Sequence, residues 1–248
     1  MTYDPRNQGA QCDRCPLGPG GCMALKARSR RRPLRADIRA GQTVALVTSA
    51  PASDDDRIMS GRAGVELHNQ LSVAGTQRRN VAVIPLQSCA YPAGARDSSG
   101  AAKRFESRLK QLRKAHAAKL RADNKKLSAT EANSAAEEAY PHPISCCRPR
   151  FEHDIRGFKN LIALGKVAAN PLLGGNKSID SLDGGMHELE IAGIPRKVVP
   201  TFSPKLVLKR SSLRPSAHAT LAKALRWFRG ALHWLEPDNL WQPSPAQL

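Results

Sequence analysis

Short apolar runs alternate along the chain with stretches of helical spacing. Thr43 to Pro51 (TVALVTSAP) is apolar and ends in small residues and proline, which predicts a buried parallel strand stopping at a functional loop. Ser60 to Gly75 (SGRAGVELHNQLSVAG) predicts a glycine-rich turn that opens a helix. Asn80 to Leu86 (NVAVIPL) predicts a second strand running into Cys89, and Asn160 to Gly165 (NLIALG) a third, followed by a short helix in KVAANPLLGG. Arg196 to Phe202 (RKVVPTF) predicts a fourth. Such an alternation predicts a three-layer α/β/α fold around a central, mostly parallel four-stranded sheet covered on both faces. Ligands of such sheets sit at the carboxyl ends of strands, so chemistry is expected in the loops after Val47, Leu86, Leu164 and Val199. A last helix from Ala217 to Leu235 spaces Leu221, Leu225, Phe228, Leu232 and Leu235 as a core stripe, so residues 1–235 form one domain and 236–248 a tail.

The segment from Ala101 to Ala139 breaks this rhythm. It is Ala- and Lys-rich without proline, carries ten Lys and Arg between Lys103 and Lys126, and has only a thin apolar stripe (Leu109, Leu112, Leu120, Leu127). It predicts an inserted basic helix or helical hairpin over about 97–139. Contact with a phosphate backbone, through Lys110, Arg113 and Lys114, stands beside the plainer reading of a solvated surface helix.

Charge sharpens the picture. The 248 residues hold 39 Lys and Arg against 21 Asp and Glu, a formal net charge of +18, and the isoelectric point is near 10.3. A positive field of this size favours polyanionic partners, with a solubilising basic surface as the alternative. No apolar run approaches the ~18 residues that a membrane-spanning helix needs, and the N-terminus lacks the apolar core of a signal peptide, so a cytoplasmic protein without membrane contact is expected. Aromatics at 4% argue against a β-sandwich core and against aromatic-rich single-strand readers.

Six cysteines in a reducing compartment are not expected to pair as disulfides. Cys12 and Cys15 form C-x-x-C; the others are Cys22, Cys89, Cys146 and Cys147. The C-x-x-C sits in a Pro/Gly-rich stretch (CDRCPLGPGGC) of the kind that wraps metals, whereas a redox pair usually opens a helix after a strand. A four-thiolate site with two distant partners is the better reading, and composition does not separate zinc from iron–sulfur.

Several motifs together carry a resemblance. CDRCPL (Cys12 to Leu17), TSAPASDDDR (Thr48 to Arg57), SGRAG (Ser60 to Gly64), Cys89 after a strand, CRPRFEHDI (Cys147 to Ile155), NLIALGKVAANPLLG (Asn160 to Gly174) and GIPRKVVPTFSP (Gly193 to Pro204) follow one another in the order seen in iron–sulfur uracil-DNA glycosylases. The pattern, over roughly residues 10 to 230, resembles the bacterial and archaeal family-4 type, also found in phage proteins associated with DNA polymerase. The resemblance implies a 4Fe-4S cluster held by Cys12, Cys15, Cys89 and Cys147, with structural zinc as the alternative. Cys147 is preferred because the family's ligand directly precedes the stretch that matches Arg148 to Glu152; Cys22 and Cys146 are spare thiols.

The family's reactive positions have diverged. The carboxylate that handles water in the first loop is replaced by Ser49, within Thr48-Ser49-Ala50-Pro51. Pro85 stands where an Asn reads the uracil edge, and Ser203 where a His supports the leaving-group oxygen. The stacking Phe is replaced by Ile58 or Met59. Proline has neither an amide side chain nor a backbone N–H, so it cannot replace the Asn. Asp54, Asp55 and Asp56 could lend a carboxylate, although acids follow this loop in active relatives too. Thr48, Pro51, Met59 and Pro85 are thus the expected base pocket, with Ser49 and Ser203 at the catalytic positions.

The DNA-facing parts match better. The segment PKLVLKRSSLRP (Pro204 to Pro215) corresponds to one that enters the minor groove, with Leu206 or Leu208 as wedges and Lys205, Lys209, Arg210 and Arg214 as phosphate contacts. SGRAG, with Arg62, suits a phosphate at a helix start. The implied protein is a monomeric DNA-binding iron–sulfur protein acting in base excision, repair or replication, alongside replication or repair proteins. Its uracil chemistry is altered or lost, and a modified pyrimidine is a candidate substrate. The alternatives are an active uracil-DNA glycosylase that hydrolyses the N-glycosidic bond, and a non-catalytic RNA- or protein-binding scaffold.

Overall fold

The computed structural model describes residues 3–18, 32–51, 57–92 and 100–230. Its strands are β1 (Val44–Thr48), β2 (Ala82–Pro85), β3 (Asn160–Leu164), β4 (His187–Ile191) and β5 (Ile194–Thr201). They form one sheet in the order β2-β1-β3-β5-β4, parallel except for β4, which runs antiparallel to β5. The helices are α1 (Arg62–Val73), α2 (Ala101–Asp123), α3 (Ala129–Ala139), α4 (Pro143–Asp154), α5 (Lys166–Leu173), α6 (Pro204–Lys209) and α7 (Arg214–Phe228).

The strand pleat explains the three layers. Alternate residues of a strand point to opposite faces, and both faces here are apolar. Ala45 and Val47 of β1, with Leu161 and Ala163 of β3, lie in one core under Phe151 of α4, Ile155 just after it, and Ala168, Ala169 and Leu172 of α5. Val44 and Leu46, with Ile162 and Leu164, lie in a second core under Leu67 and Leu71 of α1 and Leu221 and Leu225 of α7. Every residue of β1 is buried, as the continuous apolar run requires.

The sheet has five strands where the sequence predicts four. The added strand β4 (HELEI) is half polar and alternates between exposed and half-buried positions, because it lies at the edge beside β5 alone. A search for continuous apolar runs passes over such a strand. Its turn is Ala192-Gly193, with φ of 54° and 73°, the left-handed pair that a tight two-residue hairpin demands. Helix α7 also begins earlier than expected, at Arg214, because Pro215 suits a first helical turn; Leu232, Leu235 and the expected tail lie outside the described residues.

The inserted segment is a helical hairpin. Ser128 and Glu131 form a capping box that starts α3, and Ala117, Ala132 and Ala136 make a small core of the hairpin's own. The base of α2 is anchored separately, by Phe105 and Leu109 against Cys15, Leu17, Cys89 and Cys146.

The strained turn yields a test. An L-residue in the left-handed region costs about 1–2 kcal/mol, and Asn tolerates it better than Ala. Ala192→Asn is therefore expected to raise the denaturation midpoint of the purified protein, whereas Gly193→Ala lowers it.

Candidate functional site

Five cysteines from three segments are gathered beside the carboxyl end of β2. Cys12 and Cys15 lie in the N-terminal segment, Cys89 follows β2, and Cys146 and Cys147 lie on α4; all five are free and buried. The N-terminal segment is held on α4 by the Gln11 N–H, which donates to the Cys146 carbonyl at 2.8 Å. Each thiol feels the others. Burial, then Cys147 and Cys15, pushes Cys12 up to about 11. Burial, then Cys147, Cys15 and Cys12, pushes Cys89 up to about 12. Cys15 donates to the Cys146 sulfur, which holds the proton on Cys15 and favours thiolate at Cys146. Burial also raises Cys147 against a backbone hydrogen bond from Ser88.

A buried group of thiolates is unfavourable unless a cation compensates it, so such a cluster either stays protonated or binds a thiophilic metal with release of protons. Among the described residues, no three His, Cys, Asp or Glu side chains converge closely enough to ligate an ion as they stand. The donor chemistry nevertheless fits a sulfur-ligated group, since every donor in the cluster is a thiol. Cys146, a spare thiol on sequence grounds, belongs to this cluster, while Cys22 lies outside the described residues. The helical phase of α4, which turns both adjacent cysteines inward, was the missing signal.

Arg150 underlies the same region. It is fully buried; Nη1 donates to Asp154 Oδ2 at 2.7 Å and Nη2 to the Pro85 carbonyl. Asp154 also accepts from Gln8 Nε2 at 2.9 Å. The sequence reading marked Arg150 only as part of a motif and did not mark Gln8 at all.

The expected base pocket maps onto the carboxyl edge of the sheet. Thr48 and Pro85 are paired neighbours at the ends of β1 and β2, Ser49 follows β1 half-buried, and Pro51 is buried. Met59 is half-buried at φ 58° and packs against the second core, beside fully enclosed Ile58. Gly64 in SGRAG is required by contact: a Cβ there would lie 1.7 Å from the Met59 carbonyl oxygen. Ser203 is the N-cap of α6, its Oγ accepting from the Leu206 N–H at 3.3 Å, so its hydroxyl serves the helix. Buried Thr48 Oγ1 and Thr201 Oγ1 have no partner, leaving two polar atoms at this edge that a ligand or water could satisfy. Asp54, Asp55 and Asp56 lie outside the described residues.

Searched against models of known protein families, the chain matches none, and no curated protein is significantly similar to it in sequence. What the site can do must be read from its own chemistry.

The cationic residues divide into free and committed. Arg62, Lys205, Lys209 and Arg210 are exposed around the carboxyl edge, and Lys110 and Lys114 are exposed on α2. Arg214 is instead committed: Nε and Nη2 donate to the two carboxylate oxygens of buried Glu66, each at 3.0 Å. Arg113 is a brace of the hairpin, donating to the Tyr140 carbonyl at 2.9 Å and to Glu137 at 3.5 Å. Leu206 is half-buried against the first core, which leaves Leu208, at 39% exposure, as the projecting apolar side chain of α6. Among the described residues, no helix is long and apolar enough to cross a membrane.

The Glu66–Arg214 pair ties α1 to α7 and carries a pH signature. The hydrogen bonds from Arg214, and then from Gln70, hold the Glu66 carboxyl below its ordinary 4.5. A depressed folded-state value gives stability that is present above about 4.5 and is lost as pH falls through the folded value. Glu66→Gln is expected to be less stable than the parent at pH 7, with the gap in denaturation midpoints closing below about pH 4.5. A gap that does not narrow at all as pH falls below 4.5 would refute the linkage.

Proposed function

We propose that this protein binds duplex DNA and carries a thiolate-held iron–sulfur group, with the architecture of the uracil-DNA glycosylase superfamily and altered or lost uracil chemistry. The observation that carries the reading is the cluster of five buried thiols at the carboxyl edge of the sheet, adjoining exposed Lys and Arg of a chain with net charge +18. Cys12, Cys15, Cys89 and Cys147 would hold the group, with zinc as the alternative occupant. Its contribution is structural: four sulfur bonds would tie the N-terminal segment and α4 to the end of β2, on which the base pocket and α2 depend. The protein's place in the cell would be DNA base excision, repair or replication.

The altered chemistry follows from the side chains at the pocket. Excision needs a positioned water and a stabiliser for charge on the leaving base. Ser49 has no basic partner among the described residues, Pro85 offers no hydrogen bond to a base edge, and the Ser203 hydroxyl is spent on α6. Thr48 and Thr201 retain hydroxyls without a partner, each able to donate to or accept from a bound base.

Purified without oxygen, the protein is expected to be brown, with broad absorption near ~400 nm and about four irons per chain. Cys147→Ser should bleach it and Cys146→Ser should not. A colourless protein with one tightly held zinc would replace the iron assignment and leave the ligand set in place; a protein holding neither metal overturns the reading.

Against a uracil-containing duplex, turnover is expected to be absent or at least ~10²–10³-fold below that of a working glycosylase, the usual cost of one lost preorganised catalytic group. Screening hypoxanthine and hypermodified pyrimidines beside uracil identifies any retained substrate. Uracil removal at an ordinary rate would place the catalytic groups elsewhere.

A further inference from the structure

The inserted helix α2 has an exposed face whose layout exceeds what a solvated helix requires. At ~100° per residue, Lys103, Lys110, Lys114 and Arg121 fall within about 40° of one another and form one row along the helix. Arg108 and Lys119 lie together on the other flank, more than a quarter-turn away. Between the rows, beyond Arg104 in the first turn, the crown holds Ser107, Gln111, Ala115, Ala118 and Ala122, all exposed and none larger than glutamine. No carboxylate among the described residues pairs with any of these six cations. The acids near the helix are used elsewhere: Glu106 meets His142 at 2.7 Å, and Glu137 and Glu138 face Arg113 and Arg14.

We infer that α2 docks lengthwise in the major groove of B-form DNA, the two basic rows contacting the phosphates on either side and the small crown admitting the helix deeply. This rests on the DNA-binding reading above and specifies where, and to which duplex form, the hairpin binds. The dimensions agree. The helix has 23 residues, which at ~1.5 Å each spans about 34 Å, enough to pass through a major groove that is ~12 Å wide and to reach phosphates on both sides. The B-form major groove admits a helix, whereas the deep, narrow major groove of A-form RNA does not. A basic face that merely attracted phosphates would need no low crown between its rows. Beyond Arg104 the crown offers just Ser107 and Gln111 as polar side chains, so the contact should follow shape and charge more than sequence.

The hairpin is braced for such a load. Arg113 fastens the middle of α2 to Tyr140, Phe105 and Leu109 root its base on the cysteine cluster, and Ala117 packs against Ala132 and Ala136 of α3, so the helix is supported along one side. The projecting rows are thereby kept away from the hairpin's own acids.

The experiment uses the full chain and measures fluorescence anisotropy on a 30-base-pair DNA duplex and an RNA duplex of the same sequence over a salt series. Each lost phosphate contact lowers the slope of log affinity against log salt by about 0.9. The variant with Lys103, Lys110, Lys114 and Arg121 all changed to Ala should lose about three to four units of slope. Ala118→Phe, which alters no charge and sits on an exposed position, should weaken DNA binding at least ~10-fold by blocking the seat, with an unchanged melting temperature. DNA affinity that withstands both variants overturns the groove assignment while leaving DNA binding by the α6 region standing. A silent Ala118→Phe beside a weakened quadruple variant shows diffuse charge attraction and also overturns it, as does equal affinity for the RNA duplex. Failure of the unaltered protein to bind either duplex defeats the parent reading as well.

Discussion

The buried Arg150 guanidinium is the constraint on which the rest of this region depends. Removed from water, it must find hydrogen-bond acceptors, and it finds them on two elements: Asp154 one turn along α4, and the Pro85 carbonyl at the end of β2. Asp154 in turn takes Gln8 from the N-terminal segment. One charge thus sets the distance between α4 and the sheet and the docking of a segment with little regular structure of its own. Removing one partner of a buried pair typically costs about 3–5 kcal/mol, because the other charge is left stranded. These three segments, held in register, bring the thiols together, and the positive charge of Arg150 acts on both Cys147 and Cys89.

The same economy of buried polar groups runs through the molecule. Arg196 is enclosed without a carboxylate and satisfies itself on backbone carbonyls of Phe158, Ile191, Ile194 and Ile155, joining the end of α4 to the β4–β5 hairpin. Glu66 and Arg214 join α1 to α7. Three cations that might have served a surface are used as internal fasteners, and the rows on α2 remain as an outward-facing field.

The carboxyl edge of a parallel sheet gathers loops that are distant in sequence, and here it gathers an unusual mixture. Five buried thiols lie at this edge with exposed cations around it, while Ser49, Pro85 and the helix-capping Ser203 end the strands with groups of little acid–base strength. Ser203 illustrates how a strand-end hydroxyl is used by the scaffold: the strand ends, α6 begins at once, and the first hydroxyl available caps it.

Much of this was legible along the chain. The apolar runs of β1, β2, β3 and β5, the helical phase of α1 and the proline-free basic insertion follow from short-range patterning, because strand and helix periodicities are properties of neighbours in sequence. The C-x-x-C and the lone Cys89 marked a sulfur site for the same reason. Tertiary structure decided what patterning could not. The half-polar β4 is a strand because β5 is beside it. Arg113 and Arg214 are set apart from exposed Arg210 and Arg62 by the carboxylates and carbonyls that folding brings to them. Cys146 joins the cluster because helix α4 turns it inward against Cys15. A residue's type sets which bonds it can form, but its burial and partners arise from contacts between segments far apart in the chain, and no local pattern encodes those.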